Sequence, residues 1–100
     1  MNKEDFEKQF LELLNILINM EEVYIPYFAL PNDDVISIII HLNSGRVECH
    51  KGSLKIYRFV TKREDKDHLK ILAEYVYRHH DDNGLIKIIN RLKVEVAKQI

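Results

Sequence analysis

Val35 to Leu42 reads Val-Ile-Ser-Ile-Ile-Ile-His-Leu, and it constrains the fold more than any other stretch. Eight residues are too few for a stable helix, and four of them are isoleucine. β-Branched side chains lose little freedom in an extended chain and pack well on a pleated surface. Turn chemistry bounds the run on both sides, Pro31-Asn32-Asp33-Asp34 before it and Asn43-Ser44-Gly45 after it. The stretch is therefore a strand. With a period of two, Ile36, Ile38, Ile40 and Leu42 share one wholly apolar face. Val35, Ser37, Ile39 and His41 share the other, which is mixed and suits thin cover or contact with water.

Around this strand the chain supplies covers and neighbours. Asn2 to Met20 has Phe6, Phe10, Leu13, Leu14 and Leu17 at helical spacing, widened by Leu11 and Ile18. Asn2 is placed to cap this helix with Asp5 three residues on, and its broad stripe is the natural cover for the isoleucine face. Val23 to Leu30 is a second strand, which Pro26 sends to a sheet edge or gives a bulge. Pro31 to Asp34 then turns the chain into the central strand. Asn43-Ser44-Gly45 forms a hairpin loop with Gly45 left-handed, returning through Arg46 to His50. Lys51-Gly52-Ser53 turns again into Leu54 to Lys62. Asp65 to His80 is a helix capped by Asp65 or Asp67, burying Leu69, Leu72, Ala73 and Val76. Asp81-Asp82-Asn83-Gly84 breaks it, with Gly84 suited to a left-handed position past its end. Leu85 to Gln99 is the last helix, with Leu85, Ile89, Leu92 and Val96 on one face. The order α-β-β-β-β-α-α defines an α+β fold. An antiparallel sheet of three to four strands is covered by an N-terminal helix and a C-terminal helix pair.

Length and composition set the bounds. One hundred residues make a single domain, 1–100, with a radius of gyration of about 13 Å. Apolar residues make up 46% and charged residues 31%, and the net charge of −1 gives no global pull toward nucleic acid or membrane. Cys49 is alone, so no internal disulfide forms and a reducing compartment is expected. There is no apolar run of ~18 residues to span a bilayer. The first residues are acidic where an export signal is basic. A cytoplasmic protein without membrane contact or cofactor is the expectation. Much isoleucine and lysine, seven asparagines and no tryptophan fit an AT-rich genome. In composition the chain resembles the small orphan proteins encoded by archaeal viruses or phages, which implies a host cytoplasm. The resemblance brings no motif and assigns no residue a role.

Four places invite chemistry. First, charge is segregated: Arg46 to Arg63 holds six basic residues and one acidic, whereas Met1 to Glu22 holds two basic and six acidic. In the fourth strand Lys55, Tyr57, Phe59 and Thr61 alternate onto one face, away from Leu54, Ile56 and Val60. Rings at i, i+2 among cations suit single-stranded nucleic acid, with Lys51, Lys55, Tyr57, Arg58, Phe59, Lys62 and Arg63 as the contacts. Equally, Tyr57 and Phe59 can be packing residues beneath a terminal helix, the commoner use of aromatic stripes. Second, Lys87, Arg91 and Lys98 line one side of the last helix, but Val94 interrupts them and a solvated face explains them. Third, His79-His80-Asp81-Asp82 has ligand types, yet adjacent helical residues point ~100° apart and cannot chelate together. Fourth, Cys49 and His50 face opposite sides of a strand and are no nucleophile–base pair. Ser37 and His41 share a face about 13 Å apart.

No glycine-rich phosphate loop, triad or ligand cluster is present, so an enzyme is not expected. Surplus apolar surface points instead to a protein-interaction module, either a homodimer or one binding a host or viral protein. Nucleic-acid binding through the 46–63 hairpin is the alternative.

Overall fold

The computed structural model describes residues 1–29, 35–62 and 64–99, so Leu30, Arg63, Ile100 and the turn expected at Pro31 to Asp34 lie outside the described residues. Seven elements follow one another: α1 (Lys3–Ile16), β1 (Glu22–Ala29), β2 (Val35–His41), β3 (Arg46–Lys51), β4 (Leu54–Val60), α2 (His68–Arg78) and α3 (Asp82–Gln99). The expected order and α+β class hold. The strands form an antiparallel meander in the spatial order β1-β2-β3-β4, which places the isoleucine strand inside the sheet.

Register assigns each residue to a face. Val23, Ile40, Val47 and Phe59 lie in one cross-strand row, and Ile25, Ile38, Cys49 and Tyr57 in the next. Apart from the half-buried rings on β4, these side chains are buried in a single core with Phe6, Phe10 and Leu14 of α1, Leu72, Ala73 and Val76 of α2, and Leu85, Ile88, Ile89 and Leu92 of α3. Burying Ile38 and Ile40 stabilises the fold by roughly 1.5–3 kcal/mol each. The intervening rows, Glu22-His41-Arg46-Val60 and Tyr24-Ile39-Glu48-Arg58, lie on the other side of the sheet. The helices thus share one side, and among the described residues no element covers the second.

The roof is shared more evenly than the sequence suggests. The close backbone approaches of α1 are to α2 and α3, while α3 lies closest to the sheet, on β1. The stripe of α1 is wide enough to meet two helices and still deliver Phe6 and Phe10 to the core. Asn2 caps α1 as expected, its Oδ1 accepting the Asp5 N–H at 2.8 Å. The helix stops at Ile16 rather than Met20. Leu17 turns into the core, and the Met20 N–H donates to its carbonyl, swinging the chain toward β1. Pro26 has both expected consequences: β1 is an edge strand, and its register shifts between Ile25 and Phe28.

The last two helices depart from expectation at their ends. Asp67 takes the N-cap position of α2, which runs from His68 to Arg78, its carbonyl accepting the Ile71 N–H at 2.9 Å, but its side chain makes no capping bond; the Asp65 carboxylate accepts the Thr61 hydroxyl at 3.3 Å. Gly84 is not a left-handed residue past a helix end. It sits in the first turn of α3, its N–H donating to Asp81 Oδ1 at 2.8 Å, so Asp81 caps a helix that begins three residues before Leu85. Two aspartates followed by glycine read as a break, but an acidic cap satisfying free N–H groups is an equally good start.

Gly45 locks the β2–β3 turn to the helix layer. It has φ +68°, its N–H donates to the His41 carbonyl at 2.9 Å, and its own carbonyl accepts the Thr61 N–H at 3.0 Å. A Cβ there would collide with the His68 ring and the Thr61 methyl, whereas one at Gly52 (φ +62°) would meet open space. Gly52→Ala is therefore expected to cost about 1 kcal/mol of backbone strain. Gly45→Ala adds an overpacked contact and should cost about 3 kcal/mol. Urea midpoints of the two variants measure the difference.

Candidate functional site

The open side of the sheet is organised by one carboxylate. Arg46, Glu48 and His50 alternate along β3 and so project to the same side. The Glu48 side chain is only 12% exposed and is ringed by Arg46, Lys55 and His50. Arg46 Nε lies 3.2 Å from its Oε1, Lys55 Nζ 3.3 Å from the same oxygen, and His50 Nε2 donates to Oε2 at 3.2 Å. His41 extends the group: an Arg46 guanidinium N–H donates to its Nε2 at 3.3 Å, leaving Nδ1–H to donate to Glu22 Oε2 at 3.3 Å. Burial pulls the Glu48 pKa upward, but hydrogen bonds from His50 and Lys55 and the charges of Lys55 and Arg46 outweigh it. The carboxyl is held below its ordinary value.

Lys55 reaches this group because β4 contains a bulge. Cys49 opposes Tyr57 but His50 opposes Lys55, so Ile56 is an extra residue. Strict alternation places Lys55 with Tyr57, Phe59 and Thr61; the bulge moves it to the opposite, open side, where Arg58 and Val60 lie. The Arg58 side chain is exposed there and forms no ion pair among the described residues, and the same is true of the exposed Lys62. Lys51 is exposed at the end of β3, and Arg63 lies outside the described residues.

Tyr57 and Phe59 point inward and are occupied. Phe59 stacks on Tyr75 with ring centroids 4.1 Å apart, Tyr75 meets His79 at 4.1 Å, and Tyr57 stacks on His79 at 5.0 Å. The hydroxyl of Tyr57 donates to His80 Nε2 at 3.2 Å, and His80 Nδ1–H donates to the Val76 carbonyl at 2.6 Å. These rings hold the edge strand to α2, as packing residues do. Burial holds the His80 imidazole below its ordinary pKa, with the neighbouring His79 charge adding to this and the Val76 bond opposing it. Burial also pushes the Tyr57 phenol up, and Cys49 beside it adds to that.

The other sequence candidates resolve into structure. Burial pushes the Cys49 thiol up to about 11 despite its contact with the Tyr57 hydroxyl, and His50 lies on the opposite side of the sheet. On α3, Arg91 and Lys98 both pair with Glu95, at 3.1 and 3.3 Å, and Lys87 is solvated. His79, His80 and Asp81 are engaged in stacking, hydrogen bonding and capping. Among the described residues no group of three or more His, Cys, Asp or Glu could hold a metal ion.

Exposed apolar side chains gather on the strand that ends the sheet. On β4, Leu54, Ile56 and Val60 are 68%, 45% and 51% exposed, and among the described residues no strand lies beyond it. The alternation of Arg46, Glu48 and His50 could have shown the charged group in advance. The exposure of Leu54, Ile56 and Val60 could not, since it depends on strand order. Comparison with protein-family models, curated proteins and solved structures finds no match.

Two acid transitions are expected. His80 has a lowered folded pKa, so above its ordinary 6.5 both states are neutral. Below that, the unfolded chain takes up a proton first and stability falls. Glu48 also has a lowered folded pKa, so its contribution is complete above 4.5 and is lost as pH drops from there through the folded value. Urea midpoints against pH should show both steps, with His80→Gln removing the upper and Glu48→Gln the lower. At neutral pH the Cys49 thiol should react with a thiol reagent only as the protein unfolds.

Proposed function

We propose that this protein is a non-enzymatic interaction module that takes up an extended segment of a protein partner along β4. The observation that carries this is the coincidence on one edge strand of unpaired backbone groups and three exposed apolar side chains, Leu54, Ile56 and Val60. An open edge presents a row of N–H and C=O groups ready to pair with an added strand, and alternate side chains supply the grip. The opposite edge is less suited, because Pro26 has no N–H to offer an added strand within β1. The flat face between them is satisfied internally by the Glu48 group, so a partner gains little by covering it. A nucleic-acid reading loses its stacking platform once Tyr57 and Phe59 are committed to α2. The one cysteine, buried with its pKa raised, is no nucleophile.

The test is selection of short extended peptides from a random library on the folded protein, with binding mapped by amide chemical shifts. Selected peptides should shift β4 amides, and a Leu54→Ser/Val60→Ser variant should weaken them roughly tenfold, about 1.4 kcal/mol. Selected peptides that perturb only the helices, or a library that yields no binder, would sink the proposal.

A further inference from the structure

We infer that the segment added to β4 is an acidic strand of a different protein, one that presents aspartate or glutamate and apolar residues by turns to the open side of the sheet, where Arg58 and Val60 lie. This rests on the reading of β4 as a docking edge and adds the chemistry of its occupant. From Cys49 to Arg63 the chain contains no acidic residue, while Lys51, Lys55, Arg58 and Lys62 flank or occupy the edge. The carboxylate opposite Arg58 in the register, Glu48, is already consumed by Arg46, His50 and Lys55, so among the described residues the charge of Arg58 is left uncompensated. Arg58 lies in the same cross-strand row as Glu48, beside the open edge and between the exposed Ile56 and Val60. An incoming strand whose carboxylates meet Arg58 and Lys62, and whose apolar residues meet Ile56 and Val60, matches both features.

The same charges turn away a second copy. Pairing β4 with its own duplicate would gather Lys55, Arg58 and Lys62 from both chains into one seam with no acid between them. Like charges across a strand pair destabilise it, and charged edges are a common protection against self-pairing. A second copy offering β1 brings the strand interrupted at Pro26, and its Glu22 is already bonded to His41. An anionic nucleic acid would satisfy the cations, but it would leave Leu54, Ile56 and Val60 in water and the edge N–H groups unpaired.

Fluorescence anisotropy with the whole chain decides the matter, using labelled peptides in which one face of the strand alternates valine with glutamate, with threonine or with lysine and the other face is threonine throughout, and a labelled single-stranded oligonucleotide. The glutamate peptide should bind roughly tenfold more tightly than the threonine peptide at low salt, the advantage shrinking as salt rises. Arg58→Glu, an exposed substitution, should reverse the order so that the lysine peptide binds better. Equal binding of glutamate and threonine peptides at β4 would overturn the acidic partner while leaving the docking edge in place. No peptide shifting β4 amides would overturn both. Tighter oligonucleotide binding that displaces the glutamate peptide, or a sedimenting dimer that the peptide does not dissociate, would overturn the choice of occupant.

Discussion

The structure depends on burying one side of β2 and only one. Ile38 and Ile40 face the helices while Ile39 and His41 face away, and because side chains alternate strictly, a slip of one residue would exchange the two sets. That slip would put His41 into the core and isoleucines into water, so register is fixed by a penalty of several kcal/mol. Neighbouring strands inherit it. Val47 and Cys49 face inward because Ile40 and Ile38 do, and Glu48 faces outward because Ile39 does. The charged group on the open side is thus a result of the apolar packing on the other.

The element order, the interior position of the isoleucine strand, the irregular edge at Pro26 and the left-handed Gly45 could all be read from the sequence. Each rests on a local signal: a β-branched run, a missing N–H, a turn needing positive φ. What could not be read is long-range. The bulge at Ile56 has no composition of its own, and it alone moves Lys55 from the side of Tyr57 to the side of Glu48. Gly84 was ambiguous for a related reason, since Asp-Asp-Asn-Gly serves either to end one helix or to cap the next. The partners of Tyr57 and Phe59 lie on α2, and only their spacing, shared by packing stripes and base platforms alike, was visible beforehand.

The two edges of the sheet differ in a way the near-zero net charge conceals. β1 is interrupted by proline and begins with an acid already bonded to His41, whereas β4 is apolar, cationic and, among the described residues, unpaired on its outer side. Pairing with β3 and aromatic stacking onto Tyr75 and His79 hold β4 in extended form from its inner side. A strand ordered in advance surrenders less entropy when another pairs with it.

The docking of α1 has a consequence for how the chain comes into being. Its partners are α2 and α3, which follow it in the chain only after the whole meander, whereas the strands of the meander pair with their sequence neighbours. At translation rates of about 5–20 residues per second, the phenylalanines of α1 wait roughly 4–16 seconds before their seat exists. Over that interval the apolar stripe of α1 has no seat, so the helix completes its packing only after the meander that follows it has been made.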